Sequence, residues 1–287
     1  MKILVLGATG LLGHTLFQVL SKIKNYEVFG TIRESNSKAY FTDVLAANLI
    51  VAKDLSDVSQ IDNLIERLTP HVIINCIAVP RNVKSSELEI FKIYSLLPQR
   101  LKHICDSNSM RLIQISSDGV FSGRRGNYSE TDVPDATDIY GISKFLGEVK
   151  GENAITLRTS IIGHELKSKM GLLEWFLNQT DSCEAYGKSI FSGLTSIEIS
   201  KIIRDKIINS CLNGVYHLAS EPISKHKLLS LIKNRYEIEI RLNVNNSFSI
   251  DRSLNGDRFN KDANYQPPSW ITLIDEMYLH HFGRKSL

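Results

Sequence analysis

Near its start the chain reads Ile3-Leu4-Val5-Leu6-Gly7-Ala8-Thr9-Gly10-Leu11-Leu12-Gly13, and this stretch decides the fold. The apolar run before Gly7 predicts a buried strand, and apolar residues at helical spacing from Leu11 to Ile23 predict a helix. Glycines at i, i+3 and i+6 between them allow a tight turn, close approach to a pyrophosphate, and packing of helix on strand. A turn of this kind directly after the first strand favours a dinucleotide site. The residues expected to contact the cofactor here are Gly7, Thr9, Gly10, Leu11, Leu12 and Gly13.

The second predicted strand, Tyr26 to Thr31, leads to the residues that distinguish the two nicotinamide dinucleotides. A carboxylate at this point suits the ribose 2′-hydroxyl of NAD, whereas an arginine suits the 2′-phosphate of NADP. Arg33 therefore favours NADP as the cofactor, and Glu34 is a competing signal for NAD. The alternative interpretation of Arg33 is a solvated loop residue.

Two further strand ends are expected to contact the cofactor, because ligands bind at the carboxyl ends of parallel strands in such sheets. The third strand, Leu49 to Ala52, leads to Asp54, which could reach the adenine. Asp57 or Ser56 then caps the next helix, with Asp57 favoured. The fourth strand is His71 to Ile74. The residues expected to line the cofactor at these two ends are Asp54, Leu55, Cys76, Ile77 and Ala78.

A second stretch carries the candidate chemistry: Ser116-Ser117-Asp118-Gly119-Val120-Phe121 and, one loop later, Tyr140-Gly141-Ile142-Ser143-Lys144. Tyr140 and Lys144 share one helical face at i and i+4. A phenol with a pKa near ~10 donates a proton poorly at neutral pH unless a nearby cation stabilises its phenolate. Tyr140 is therefore a candidate general acid, and the Ser117 hydroxyl could hydrogen-bond a substrate carbonyl. An exposed helical pair, and a turn-capping serine, are the structural alternatives.

The alternation of strands and helices up to residue 160 predicts an α/β fold with a doubly wound parallel sheet of the Rossmann type. We expect an NADP-binding domain over residues 1–160 and a smaller C-terminal α/β substrate-binding lobe over residues 161–287, parts of which could return to the first domain. The substrate groove is expected between them. In the charged tail, Arg252 could meet substrate phosphates, with a solvated loop as the alternative.

The composition excludes several classes of protein. The 287 residues are 43% hydrophobic and 23% charged, which is enough to bury a large core. The 34 basic and 31 acidic residues are interspersed, so no nucleic-acid partner is expected. No run approaches the ~20 apolar residues of a membrane span, and no cluster of ligating residues predicts a metal. The four cysteines lack paired spacing, and the N-terminus does not resemble a signal peptide, so we expect a cytoplasmic protein.

Three motifs in chain order, namely the glycines at 7, 10 and 13, Ser117, and Tyr140 with Lys144, resemble the extended short-chain dehydrogenase/reductase superfamily. Over nearly the whole chain, the closer resemblance is to the dTDP-4-dehydrorhamnose reductase family. It is carried by residues 116–123 and 140–148, Leu157-Arg158-Thr159-Ser160 and Gly214-Val215-Tyr216-His217-Leu218.

This resemblance implies an NADPH-dependent reduction of the 4-keto group of a nucleotide-linked deoxysugar. Hydride would go to C4 and the proton would come from Tyr140. Lys144 would lower the tyrosine pKa and hold the nicotinamide ribose, and Ser117 would orient the carbonyl. The substrate-binding residues are then expected to be Ser117, Asp118, Gly119, Tyr140 and Arg252.

The chain departs from the family pattern at two positions. Gly119 stands where members commonly carry a tyrosine and some relatives a cysteine, which removes a contact on the substrate side. Tyr94 stands where an asparagine of a proton relay usually sits. Substrate identity and the relay are the properties that these departures affect.

Three alternatives remain beside the reductase interpretation. One is a nucleotide-sugar epimerase and another a dehydratase, which would need an acidic pair where Asp118 supplies one carboxylate. The third is a non-catalytic NADP-binding regulatory subunit of the same fold, against which the intact Ser117, Tyr140 and Lys144 speak. In either case the protein could form a homodimer, a state that the sequence leaves open.

Overall fold

The computed structural model describes residues 1–55, 57–79 and 85–283, without the side chain of Val58. The strands in chain order are β1 Lys2–Leu6, β2 Glu27–Ile32, β3 Leu49–Val51, β4 Val72–Asn75, β5 Arg111–Ile115, β6 Ala154–Arg158, β7 Ile161–Ile162, β8 Ser182–Phe191, β9 Leu194–Thr195, β10 Gly214–His217, β11 Ile223–Ser224 and β12 Arg241–Asp251. The helices are α1 Gly13–Leu20, α2 Asp43–Ala47, α3 Val58–Leu68, α4 Glu87–Phe91, α5 Leu97–Ser107, α6 Ile139–Leu146, α7 Leu172–Leu177, α8 Ser196–Ile202, α9 Lys225–Tyr236, α10 Asp257–Asp262 and α11 Trp270–Phe282.

The main sheet of the described residues has seven strands in the order β10-β6-β5-β4-β1-β2-β3. Neighbouring strands in this sheet pair in parallel. The side chains of β1 alternate between two apolar layers: Ile3 and Val5 join one core cluster, and Leu4 and Leu6 join the other. A parallel sheet covered on both faces in this way is doubly wound, as the sequence predicts.

The helices that cover the sheet begin and end at local signals. Asp57 caps α3 by accepting a hydrogen bond from the Ser59 amide at 2.9 Å, which confirms the favoured cap; the alternative, Ser56, lies outside the described residues. Between α4 and α5 the helix continues through a π-helical segment, Lys92–Leu96. Within the described ranges, no helix combines the length and apolar character needed to cross a bilayer.

The strand β10 comes from beyond residue 160 and pairs with β6 at the edge of the main sheet. The C-terminal part therefore completes the first domain, a return that the predicted division allows. The division of the chain at residue 160 itself stays a prediction.

The C-terminal part also holds a smaller sheet in the order β11-β8-β12. The sequence predicts neither β8 nor β12, because most side chains of β12 are polar or exposed and show no apolar alternation. The charged tail likewise contains a helix, α10, where no helical stripe is visible; within α10, Phe259 is the buried residue. These three elements correct the sequence-based expectation.

Candidate functional site

The glycine turn (residues 7–13) joins β1 to α1 and is shaped by its backbone. Gly7 has φ +80°, in the left-handed region that favours glycine. Its amide donates to Thr31 Oγ1 at 2.9 Å, and the Gly10 amide donates to the Gly7 carbonyl at 3.0 Å. A Cβ at position 13 would lie 2.1 Å from the Gly7 oxygen, so the helix can begin this close to the turn only with glycine there.

The residues of this turn fit a dinucleotide pyrophosphate. The N-cap of α1 is Leu12, which makes no side-chain hydrogen bond, and the first turn of α1 carries no acidic residue. The backbone amides and the positive end of the helix dipole are therefore the polar groups available to an anion. Thr9 and Leu11 are half-buried beside them.

The end of β4 passes directly beside the glycine turn. A Cβ at Gly7 would lie 3.1 Å from both the Cys76 oxygen and Ile77 Cα. Burial raises the pKa of the Cys76 thiol to about 12, which makes it an inert packing group. Ala78, two residues later, is exposed. The structure therefore brings the predicted segment 76–78 to the turn.

The predicted adenosine contacts lie at the ends of β2 and β3. Arg33 is exposed directly after β2. The Nζ of Lys167 lies 3.9 Å from the Glu34 carboxylate and donates to Ser37 Oγ at 2.6 Å. Glu34, the residue whose charge favours NAD, therefore has a cationic neighbour. After β3, Asp54 is exposed, whereas the partly buried Leu55 packs against one core layer.

Four residues, Ser117, Gly119, Tyr140 and Lys144, meet at the end of β5; they are termed the catalytic corner after the role that the sequence predicts for them. The Ser117 hydroxyl accepts from the Gly119 amide at 2.9 Å and donates to the Asp118 carboxylate at 3.1 Å. Tyr140 is the second residue of α6 and is 38% exposed. A Cβ at Gly119 would lie 2.8 Å from Tyr140 Cε1 and 3.2 Å from Ser117 Oγ, so the phenol and the hydroxyl flank the same glycine.

Lys144 lies one helical turn after Tyr140 and is 7% exposed. Its Nζ donates to the Ile115 carbonyl at 3.1 Å, at the end of β5. Burial lowers the pKa of Lys144 to about 8, while Cys76 and Glu148 act in the opposite direction. The lysine is therefore mainly an ammonium at pH 7.

The glycine turn and the catalytic corner share one edge of the sheet. The turn follows β1, Ser117 follows β5, and β4 lies between these two strands. Neighbouring strands are about 4.8 Å apart, so the two features are separated by roughly 10 Å, a distance that an extended dinucleotide can span.

Tyr94, noted in the sequence as a departure from the family pattern, contacts both candidate catalytic side chains on α6, Tyr140 and Lys144. Its ring centroid lies 4.4 Å from Lys144 Nζ and 5.3 Å from the Tyr140 ring, at an interplanar angle of 86°. Its hydroxyl accepts from the Val79 amide at 2.9 Å. The aromatic residue thus occupies the space behind the catalytic pair.

No sequence motif predicts the buried polar network that lies behind the site. Glu148 and Arg158 form a bidentate pair with both N–O distances at 2.7 Å, and Ser116 Oγ donates to the same carboxylate at 2.9 Å. Arg158 Nη1 also donates to His217 Nε2 at 3.3 Å, and His217 Nδ1 donates to the Tyr128 carbonyl at 3.0 Å. Burial and the nearby Arg158 lower the pKa of His217 to about 3, so the imidazole is neutral. The sequence signal for this network is a charged residue, Arg158, directly after the apolar residues of β6.

The predicted substrate residue Arg252 lies beside the loop that follows Ser117. A Cβ at Gly123 would lie 2.8 Å from Arg252 Cγ, and the Asp251 amide donates to the Gly123 carbonyl at 2.8 Å. The Nε of Arg252 is buried and has no hydrogen-bond acceptor among the described residues. A guanidinium in this state has capacity for an additional acceptor.

Comparisons with known proteins cover nearly the whole chain. A family model described as the RmlD substrate binding domain matches residues 1–250. Methionine adenosyltransferase 2 subunit beta of Danio rerio is 25% identical over 83% of this chain and 74% of its own. The dTDP-4-dehydrorhamnose reductase of Aggregatibacter actinomycetemcomitans is 26% identical over 77% of this chain and 74% of its own.

Among solved structures, the dTDP-4-dehydrorhamnose reductase of Bacillus anthracis in complex with NADP has a TM-score of 0.77. It covers 97% of this chain and 98% of its own at 19% sequence identity. A likeness at this level of identity shows a shared fold, that of the doubly wound sheet described above.

Proposed function

The chain belongs to the RmlD substrate binding domain family, and on that premise we propose that it is an NADPH-dependent reductase of a nucleotide-linked 4-keto-deoxysugar. One observation carries the proposal: Ser117 Oγ and the Tyr140 ring flank Gly119, with the buried Lys144 behind them, on the sheet edge that also holds the glycine turn. Proteins named as a reductase and as a methionine adenosyltransferase beta subunit are both similar to this chain.

The proposed cofactor is NADP, with NAD as the alternative. The glycine turn would hold the pyrophosphate, the segment 76–78 would lie along the nicotinamide half, and Arg33 would pair with the 2′-phosphate. The Lys167 ammonium near Glu34 supports this choice, because it offsets the charge that would repel a phosphate. When bound, NADPH supplies the hydride of the reduction.

The residues of the catalytic corner supply the remaining chemistry. The Ser117 hydroxyl would donate to the substrate carbonyl oxygen and orient it. The Tyr140 phenol would give its proton to that oxygen as the C=O bond becomes an alcohol, and the Lys144 ammonium would stabilise the phenolate that remains. Because Tyr140 is 38% exposed, its phenolate can recover a proton from solvent.

The proposed substrate contacts extend to Asp118, Gly119 and Arg252. The absence of a side chain at Gly119 leaves the ring of Tyr140 directly beside Ser117. The buried, unpaired Nε of Arg252 supports a role in binding an anionic group, which the pyrophosphate of a sugar nucleotide would supply.

The test is NADPH oxidation, followed by absorbance, with dTDP- and UDP-linked 4-ketosugars as substrates. We expect at least one of these sugars to support turnover, and Tyr140→Phe to remove it. If NADPH binds and none of the sugars is reduced by the unaltered protein, the reductase proposal is wrong.

A second candidate function is that of a non-catalytic regulatory subunit. It is favoured by the matches to proteins named methionine adenosyltransferase 2 subunit beta. The two functions make opposite predictions for Tyr140→Phe, which would leave a purely regulatory activity unchanged.

We also propose that the protein forms a homodimer. Large apolar side chains are exposed on α4, on the π-helical segment that follows it, and on the neighbouring α6: Leu88 (60%), Leu96 (51%), Phe145 (39%) and Leu146 (47%). Exposed apolar side chains on elements that pack together support burial against another chain. Light scattering of Leu96→Glu, which places a charge on this surface, should show a monomer where the unaltered protein shows a dimer.

A further inference from the structure

The helix that faces α6 changes its winding next to the catalytic corner. The π-helical segment Lys92–Leu96 lies between α4 and α5. A π turn accommodates an extra residue and thereby rotates the side chains around it. Here Ser95 Oγ donates to the Ser143 carbonyl at 2.9 Å, and a Cβ at Gly147 would lie 1.7 Å from the Tyr94 oxygen. The π turn is therefore pressed closely against α6.

The tight packing fixes Tyr94, which is 6% exposed, between three parts of the site. One contact is between its ring and the Lys144 ammonium, another is edge-to-face with Tyr140, and the third joins its hydroxyl to the Val79 amide. Val79 follows the segment 76–78, so the same side chain touches the strand end expected to line the cofactor.

The Tyr94 ring is one of several groups that face the Lys144 ammonium. A buried ammonium loses hydration, and this loss favours the neutral amine. Cys76 and Glu148 act against this loss electrostatically, the Ile115 carbonyl through one hydrogen bond, and the π face of the Tyr94 ring through its quadrupole. A neutral amine at position 144 would stabilise a phenolate poorly.

We infer that Tyr94 is a positioning residue of the catalytic corner. Its ring keeps Lys144 in the ammonium form and orients the Tyr140 phenol. Its hydroxyl anchors the segment that follows β4, through the Val79 amide. The kinetic consequence rests on the proposed reductase function. The ionisation of Lys144 does not depend on that function and can be measured separately.

The decisive comparison changes the electron distribution of the ring at position 94 and keeps nearly the same ring shape. Tyr94→Phe keeps the π face, whereas trifluorophenylalanine at the same position weakens its quadrupole in nearly the same volume. In protein labelled with ¹³C-lysine, the Cε signal of Lys144, assigned by its loss in Lys144→Arg, gives the titration midpoint. We expect the fluorinated ring to lower this midpoint by about half a pH unit or more relative to Tyr94→Phe. Equal midpoints in the two variants would overturn the inference.

A matched control comes from a second buried tyrosine. Tyr216 is 4% exposed and has the Arg258 guanidinium 4.5 Å from its ring, away from Lys144. Tyr216→Phe and its fluorinated counterpart should leave the Lys144 midpoint unchanged. A similar shift in this control pair would mean that the Lys144 signal reports general loosening, and the inference would fail.

The kinetic measurement extends the same series. With a sugar substrate that the unaltered protein reduces, the basic limb of the kcat profile should move to lower pH in the fluorinated variant, together with the Lys144 midpoint. Tyr94→Phe should leave that limb in place and weaken NADPH binding by about threefold, because it loses the bond to Val79. A moved NMR midpoint with an unmoved kinetic limb would contradict the assigned link between Tyr94 and the chemistry. Absence of turnover in the unaltered protein would count against the reductase proposal alone.

Discussion

The glycine turn and the catalytic corner lie on the same sheet edge and are built in different ways. The turn is made by backbone atoms of seven consecutive residues, with Gly13 against the Gly7 carbonyl. The corner brings together residues from separate segments: Ser117 and Gly119 after β5, and Tyr140 and Lys144 on α6, with Tyr94 packed against them from the π-helical segment. The turn therefore depends on glycines close together in the sequence, whereas the corner depends on the packing of side chains around Gly119.

The largest expected effect concerns the corner alone. Tyr140→Phe should lower kcat by about a thousandfold, because it removes the proton donor, while the dissociation constant for NADPH changes less than about twofold. Steady-state kinetics and fluorescence titration with NADPH measure the two quantities. A parallel loss of turnover and cofactor affinity would show that the phenol also supports the turn, and the separation of the two regions would be wrong.

The corresponding change in the turn is Gly13→Ala. Its Cβ would lie 2.1 Å from the Gly7 oxygen, so the start of α1 must move, and we expect NADPH affinity to fall about 100-fold. Gly256→Ala, outside the turn and with no atom closer than 3.5 Å to its Cβ, is the matched control and should leave NADPH affinity unchanged. Thermal unfolding identifies any global loss of structure. If a folded Gly13→Ala variant binds NADPH as the unaltered protein does, the turn is not the pyrophosphate site.

A smaller effect is expected at the far end of the cofactor. Arg33→Ala should weaken NADPH about tenfold and NADH less than about twofold, because an exposed charged hydrogen bond to the 2′-phosphate is lost. Titration with both dinucleotides measures the preference. Arg241→Ala, on an exposed strand of the smaller sheet, is the control and should change neither affinity. An unchanged preference in Arg33→Ala would exclude the 2′-phosphate assignment.

The smallest expected effect concerns stability: replacing Lys144 should stabilise the fold although it removes function. Burial lowers the pKa of Lys144 to about 8 from 10.5, so the unfolded chain binds more protons between these two values. The cost of the buried charge is fully present below pH 8 and disappears as the pH rises through 10.5. Lys144→Met should therefore raise the free energy of unfolding at pH 7 by roughly 1 to 3 kcal/mol while removing turnover.

Urea unfolding at pH 7 and at pH 10.5 measures this difference, which should be largest at pH 7. Lys227→Met, at an exposed position of α9, is the control and should show no comparable gain. A less stable Lys144→Met variant at pH 7 would mean that the contacts of the ammonium outweigh its burial.

The sequence predicts features made by neighbouring residues, such as the glycine turn, better than features made by distant ones, such as the catalytic corner. Each strand of the main sheet contains adjacent apolar residues, and the glycine spacing is local, so the sequence is sufficient to predict both. In contrast, the sequence does not predict β12. Most of its side chains are exposed, and it pairs with β8, which is distant in the sequence. The contact of Tyr94 with Lys144 depends on a π turn that no local periodicity reveals. The pair of Glu148 and Arg158 joins two buried charges from neighbouring segments, after α6 and at the end of β6, and no local pattern indicates that they pair.

Because β10 comes from beyond residue 160, a chain truncated at that point lacks an edge strand of the main sheet. All five residues of β6 are buried, and β10 pairs along its outer edge. A fragment that stops at residue 160 would leave this apolar strand as an open border, which invites intermolecular pairing and precipitation. We therefore expect residues 1–160 expressed alone to precipitate unless residues 214–217 are joined to them as the missing strand.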